Sequence, residues 1–126
     1  MSRVDPQAEH FVELMLDGEP ELSEVLSCIF GIQTHEARTY EVLVENPGST
    51  VEELAAELER DRSNVNRSLS TLREKGLATR ERRLLDGGGH IYQYSATPLD
   101  EARERMHEAL DTWTTAVRER IDEFGE

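Results

Sequence analysis

The chain has 126 residues, enough for one domain that buries roughly two thirds of the surface its unfolded form exposes. Its 27 acidic residues against 14 basic ones give a net charge of −13 at pH 7, and Lys75 is the single lysine among the basic residues. No run approaches the roughly 20 apolar residues of a membrane span, Met1–Pro6 lacks the apolar core of a secretory signal, and the lone Cys28 excludes an internal disulfide, so a cytoplasmic protein is expected.

Residues 1–32 read as an N-terminal helical extension made of two short helices around the break Asp17-Gly18-Glu19-Pro20. The first places Phe11, Leu14 and Met15 on one face, and the second places Leu22, Val25, Leu26 and Ile29 on one face. Cys28, inside the apolar run Val25–Phe30, is expected to be a small buried hydrophobe. From Thr34, a candidate cap, a helix runs to about Glu45 with Ala37, Tyr40, Leu43 and Val44 turned inward. Asn46-Pro47-Gly48 stops it, because Pro cannot continue a helix and Gly supplies the turn. Thr50-Val51-Glu52-Glu53 has the form of a capping box opening a short helix with Val51, Leu54, Ala55 and Leu58 inside.

Asp61 is the expected N-cap of the next helix and Gly76 its C-terminal stop, with Val65, Leu69 and Leu72 as the buried stripe. The period then turns from helical to alternating over 77–84 and 90–97, around Asp86-Gly87-Gly88-Gly89, the pattern of a β-hairpin. From Leu99 a single apolar stripe returns at helical spacing through Ala102, Met106, Leu110, Trp113, Val117, Ile121 and Phe124. A stripe so narrow on a long terminal helix suits a homodimer seam, for which Met106, Leu110, Trp113, Val117 and Ile121 are the expected contacts. The expected architecture is mainly α with a small β-hairpin wing. Its parts are a helical extension at 1–32, a winged helix-turn-helix at 33–97 and a dimerisation helix at 98–126.

Charge is distributed unevenly along this chain. The 24 residues from Arg60 to Arg83 hold eight of the fourteen basic residues and three acids, a net charge of +5, so the remaining residues carry −18. A cationic island in so acidic a chain points to nucleic acid phosphate. Between Arg62 and Arg73 there is no acid, and the residues off the buried stripe are polar. Arg pairs bidentately with guanine and Asn with adenine, so Ser63, Asn64, Asn66 and Arg67 are the candidates for base edges. Arg62, Thr50 and Ser70 are placed for phosphate, since hydroxyls and helix-start amides position it. In the hairpin, Arg80, Arg82, Arg83, Gly88 and His90 are the candidates for the backbone or minor groove. Strand alternation puts Arg80 and Arg82 on one face and Arg83 on the other, while Tyr92 and Tyr94 are expected in the core.

Gly31-Ile32-Gln33-Thr34-His35-Glu36-Ala37-Arg38-Thr39-Tyr40 resembles the opening of archaeal TrmB-type transcriptional regulators. The likeness continues through 51–55, 64–69 and 72–77, stretches shared more loosely with MarR-like and ArsR-like families. It implies a dimeric, double-stranded-DNA-binding domain whose reader is the helix from Asp61 to Lys75. Larger members append a sugar-binding domain; here one helix follows the wing, so no sugar effector is carried over. Few lysines, few aromatics and a large acidic excess resemble proteins of salt-accumulating halophiles, and together these features suggest a compact haloarchaeal form.

His10, His35, His90, His107 and Cys28 show no metal-ligand spacing. Asp86–Gly89 lacks the strand–helix setting and the Lys-Ser/Thr of a phosphate loop. No enzyme activity and no cofactor are expected. The competing reading is a winged helix used for protein contacts, which has no need of five arginines on the reader helix and wing.

Overall fold

The computed structural model describes residues 20–125; the helix expected around Phe11, Leu14 and Met15 lies outside them. The first described helix, α1 (Leu22–Phe30), buries Leu26 and half-buries Val25 and Ile29, as its spacing predicts. Cys28, by contrast, is exposed. It lies four residues after exposed Glu24 and so shares that residue's outer face, which an apolar run alone does not reveal. Gly31 ends α1 at φ 67°, a left-handed value that glycine adopts without steric cost.

Helix α2 (Thr34–Glu45) begins one residue earlier than the expected cap implies. Gln33, not Thr34, stands at the N-cap, and its N–H donates to the Glu36 carboxylate at 2.8 Å. Ala37, Tyr40 and Leu43 are fully buried, and the Tyr40 hydroxyl donates to the Thr97 carbonyl at 2.8 Å. Burial raises the Tyr40 pKa against a lowering by the nearby Arg105 charge, so the phenol stays a neutral donor.

Helix α3 (Val51–Leu58) carries the expected capping box. The Glu53 N–H donates to Thr50 Oγ1 at 3.2 Å, and the Thr50 N–H donates to Glu53 Oε1 at 3.0 Å. Helix α4 (Arg62–Glu74) is capped by Asp61, whose carboxylate accepts from the Ser63 amide at 3.3 Å and from the Ser63 hydroxyl. The Ser63 hydroxyl, then its amide, hold the Asp61 carboxyl below its ordinary range; the Thr50 amide and hydroxyl do the same for Glu53. A depressed folded-state pKa means that both caps act at neutral pH and weaken as acid protonates them. The turn between α3 and α4 passes through Glu59 at φ 52°, the one non-glycine residue with positive φ among those described.

Strands β1 (Ala78–Leu84) and β2 (His90–Ala96) pair antiparallel without a bulge, from Ala78 opposite Ala96 to Leu84 opposite His90. Ser49 adds a single bridge to the other edge of β2: Tyr94 N–H donates to Ser49 O at 2.7 Å, and Ser49 N–H to Tyr94 O at 3.1 Å. Buried Tyr94 thus anchors the hairpin to the segment between α2 and α3.

The last helix, α5 (Leu99–Glu123), divides its stripe. Ala102 and Met106 belong to the same core as Leu26, Tyr40, Leu69 and Leu72. Met106, expected on the seam between copies, is 8 % exposed and so belongs to this chain's own interior. Beyond it Leu110, Trp113, Ile121 and Phe124 are exposed, Trp113 by 63 % and Phe124 by 91 %. Arg105 ties this helix to the end of α4, donating to Lys75 O at 2.7 Å and Gly76 O at 2.9 Å, with its guanidinium 5.1 Å from the Phe30 ring centroid. A cation at a helix C-terminus satisfies carbonyls that have no intrahelical partner.

Candidate nucleic-acid interface

Val65, Leu69 and Leu72 point α4 into the core, and Ser68 is buried at the edge of that face toward α2. At 100° per residue that burial leaves Ser63, Arg67 and Ser70 at the centre of the outward face, with Arg62 and Asn66 turned to one flank and Asn64 and Thr71 to the other. Ser63, Asn66, Arg67 and Ser70 are exposed and Asn64 is half-buried, so the four candidates for base edges, and Ser70 assigned to phosphate, lie together on the open side of one helix. Arg67 Nη2 donates to Asn64 Oδ1 at 2.7 Å. This bond holds the guanidinium outward while the Asn64 amide nitrogen keeps its donors. The Ser63 hydroxyl is engaged by Asp61, which leaves its oxygen lone pairs for an incoming donor.

Between α4 and the wing lies an open cleft of about 700 Å³, lined by Arg62, Ser63 and Asn66 from the helix, by His90 and Tyr92 from the wing, and by Thr50. Thr50, assigned to phosphate, lines this cleft as the N-cap of α3. Arg62, assigned to the same task, is not a free cation: its Nη1 lies 3.2 Å from Glu52 Oε1. Both side chains are mostly exposed, so the pair is readily exchanged for another partner. Sequence spacing does not reveal this partnership, because ten positions separate the two residues.

The hairpin register puts Arg80 and Arg82 on the face of Tyr92 and Tyr94, opposite Arg83, as alternation predicts. Arg80 stacks on the Tyr92 ring, with Cζ 4.0 Å from the centroid. Arg82 Nη2 lies 3.4 Å from His90 Nδ1, and His90 meets Tyr92 edge to face at 5.2 Å. The four side chains make one packed cationic and aromatic ladder; its ring planes limit arginine motion while leaving the charges exposed. At the tip, Gly88 and Gly89 adopt φ 92° and 81°, with open space around them. Leu84, 74 % exposed, and Leu85 flank the tip.

A second cleft, of about 480 Å³, lies on the other flank of α4 against the start of α2. Asn64, Arg67 and Ser70 reach it from the reader helix. Among the described residues there is no group of His, Cys, Asp and Glu that could hold a metal ion, and no helix long and apolar enough to cross a membrane.

Comparisons with known proteins bear on the family and the fold. A family model described as the sugar-specific transcriptional regulator TrmB matches residues 26–100. An uncharacterized protein of Methanocaldococcus jannaschii is 34 % identical over 105 residues, spanning 83 % of this chain and 87 % of that protein. A possible transcriptional regulator from Methanosarcina mazei superposes with a TM-score of 0.76 at 22 % identity, over 85 % of this chain and 91 % of that one. The archaeal chromatin protein TrmBL2, whose structure is described as showing a novel mode of DNA binding, superposes with a TM-score of 0.56 at 24 % identity, over 80 % of this chain and 35 % of that one. At these identities the two structures show a shared winged-helix fold. The match over more than half the chain goes further: this protein belongs to the TrmB family of transcriptional regulators.

Proposed function

We propose that the protein is a sequence-specific double-stranded-DNA-binding regulator acting as a homodimer, with α4 in the major groove and the wing against the backbone or minor groove. The observation that carries this reading is the outward face of α4 from Arg62 to Arg73, which holds no acid, set beside a wing in which Arg80 stacks on Tyr92. A major groove about 12 Å wide admits one helix of that diameter, and the side chains presented there are those that bond base edges. Ser63, Asn64, Asn66 and Arg67 read bases. Thr50, Arg62, Ser70, Arg80, Arg82, Arg83, Gly88 and His90 meet the backbone or minor groove. The exposed half of the α5 stripe joins two copies through Leu110, Trp113, Val117 and Ile121.

The acidic remainder of the surface suits a cytoplasm rich in salt, where charge self-repulsion is screened within a few ångströms, and it turns DNA away from every other face. Counterion release then supplies little affinity, and base contacts and dimerisation supply the rest. Binding is therefore tested in molar KCl, on duplexes recovered from a random-sequence library by the purified protein. Arg67→Ala is expected to weaken the recovered duplex by about 5- to 150-fold and to relax preference at one base pair, the range of a lost bidentate contact. A protein that recovers no duplex at any salt concentration, with or without Arg67, is instead a protein-binding winged helix.

Glu52 provides an opposite-signed check. Glu52→Gln is expected to tighten DNA binding about two- to fivefold, because it frees Arg62 and removes one carboxylate from the phosphate path. Unchanged or weaker binding by this variant would remove Arg62 from the contact set.

A further inference from the structure

A helix about 10–12 Å across that fills a groove about 12 Å wide has the phosphates of one strand on each flank. The wing attends to one flank of α4. The other flank holds the second cleft, lined by Gln33, His35, Arg60, Asn64, Arg67 and Ser68. In a chain of net charge −13, this flank would repel DNA unless its own groups favoured an anion.

Its groups do favour one, for three independent reasons. Arg60 is half-buried; its Nη1 is sealed from solvent and has no hydrogen-bond partner among the described residues. Ser68 is 1 % exposed, lines the same cleft, and its Oγ is likewise without a partner there. Buried polar groups are nearly always hydrogen-bonded, so two orphans in one cleft mark a place where a partner is missing. The twelve-residue α2 also opens on the cleft with its first turn, whose amides favour negative charge.

The opposing charge is limited. Glu36 is the one acid lining the cleft, and its carboxylate is turned back onto the Gln33 N–H. Arg60 and Arg67 form no ion pair among the described residues, and Arg38 lies beside Arg60 in the depression that continues past it.

We infer that the cleft between α2 and α4 seats a backbone phosphate of the DNA strand opposite the one met by the wing, with Arg60 as its principal cation. This rests on the DNA-binding reading above. It makes α2 a DNA-contacting element and clamps the reader helix between the two strands. Arg60 then fixes depth and register in the groove without reading sequence, while Arg67, entering from the same cleft, is left to the bases.

The test uses the full chain and a duplex recovered from a random-sequence library, with single uncharged methylphosphonates placed along each strand in turn. Arg60→Gln is expected to weaken binding about tenfold, the scale of one charge-assisted hydrogen bond, with base preference unchanged. One methylphosphonate, on the strand away from the wing, is expected to weaken the wild type and to have no effect on Arg60→Gln. Circular dichroism melting checks that the variant folds. Should it not fold, Ser68→Ala is read in the same scan and is expected to blunt sensitivity at that same phosphate. Wild-type affinity in the variants, or a methylphosphonate profile identical in wild type and variants, overturns the seat alone. A wild type that recovers no duplex overturns the DNA reading and the seat with it.

Discussion

Trp113→Glu is expected to leave a folded monomer whose affinity for a two-half-site duplex is lower by about a hundredfold or more. Trp113 is 63 % exposed within one chain and contributes little to that chain's own core. It lines a shallow apolar groove of about 440 Å³ along α5 with Val117, Ile121 and Phe124. Leu110 to Phe124 extends the stripe over about 21 Å of helix at 1.5 Å per residue, long enough for a second copy of the helix to lie against it in a self-complementary pair. A buried carboxylate at its centre opposes that pairing. Once the copies separate, each reader helix binds alone, and the gain from linking two half-sites, about 10²–10⁴, disappears. Sedimentation equilibrium gives the oligomeric state and a titration of the duplex gives the affinity; helix content by circular dichroism should match the wild type. A variant that remains dimeric places the seam elsewhere, and a wild type that is monomeric at the same concentration overturns the homodimer.

Leu69→Ala is expected to destabilise the fold by about 2–5 kcal/mol, the cost of deleting a buried leucine where the surroundings cannot collapse. Leu69 is fully buried on the inner face of α4 within the core cluster that includes Ala37, Tyr40, Leu43 and Leu54 from α2 and α3. A void there loosens the helix that carries the readers, so DNA affinity should fall with stability. Ser70→Ala, one position on and facing outward, is expected to change stability by less than about 0.5 kcal/mol. Urea denaturation in constant high KCl measures both variants. Equal stabilities for the pair would mean that the helix is rotated from the orientation described.

The elements of the candidate interface were the most legible in the sequence, because their signals are local. Asp61, Gly76 and the spacing of Val65, Leu69 and Leu72 bracket α4, and Thr50 with Glu53 marks the start of α3, each through bonds spanning three residues or fewer. Strand alternation likewise placed Arg80 and Arg82 apart from Arg83. Of the readings that failed, one turned on packing between distant segments and one on a local bond whose position was misplaced by one residue. Cys28 sits in an apolar run, yet the angle at which α1 meets the core turns it outward. Gln33 takes the cap expected of Thr34 because the Glu36 carboxylate sits three residues after Gln33. The left-handed Glu59 has no glycine to announce its turn, and its conformation is seen only in the structure.

The candidate site divides along the same line. Residue type and period alone determined which side chains of α4 face outward, where the wing begins, and that the positive charge of an acidic protein is collected there. Tertiary structure decided which of those charges are available: Arg62 is paired with Glu52, Arg80 is stacked on Tyr92, and Arg60 is left without a partner inside a cleft. It also cut one uniform apolar stripe on α5 into a buried half and an exposed half at Met106. The physical reason is range. Caps, turns and amphipathic faces are set by interactions within a few residues, whereas pairing and burial depend on what distant segments bring to the same place.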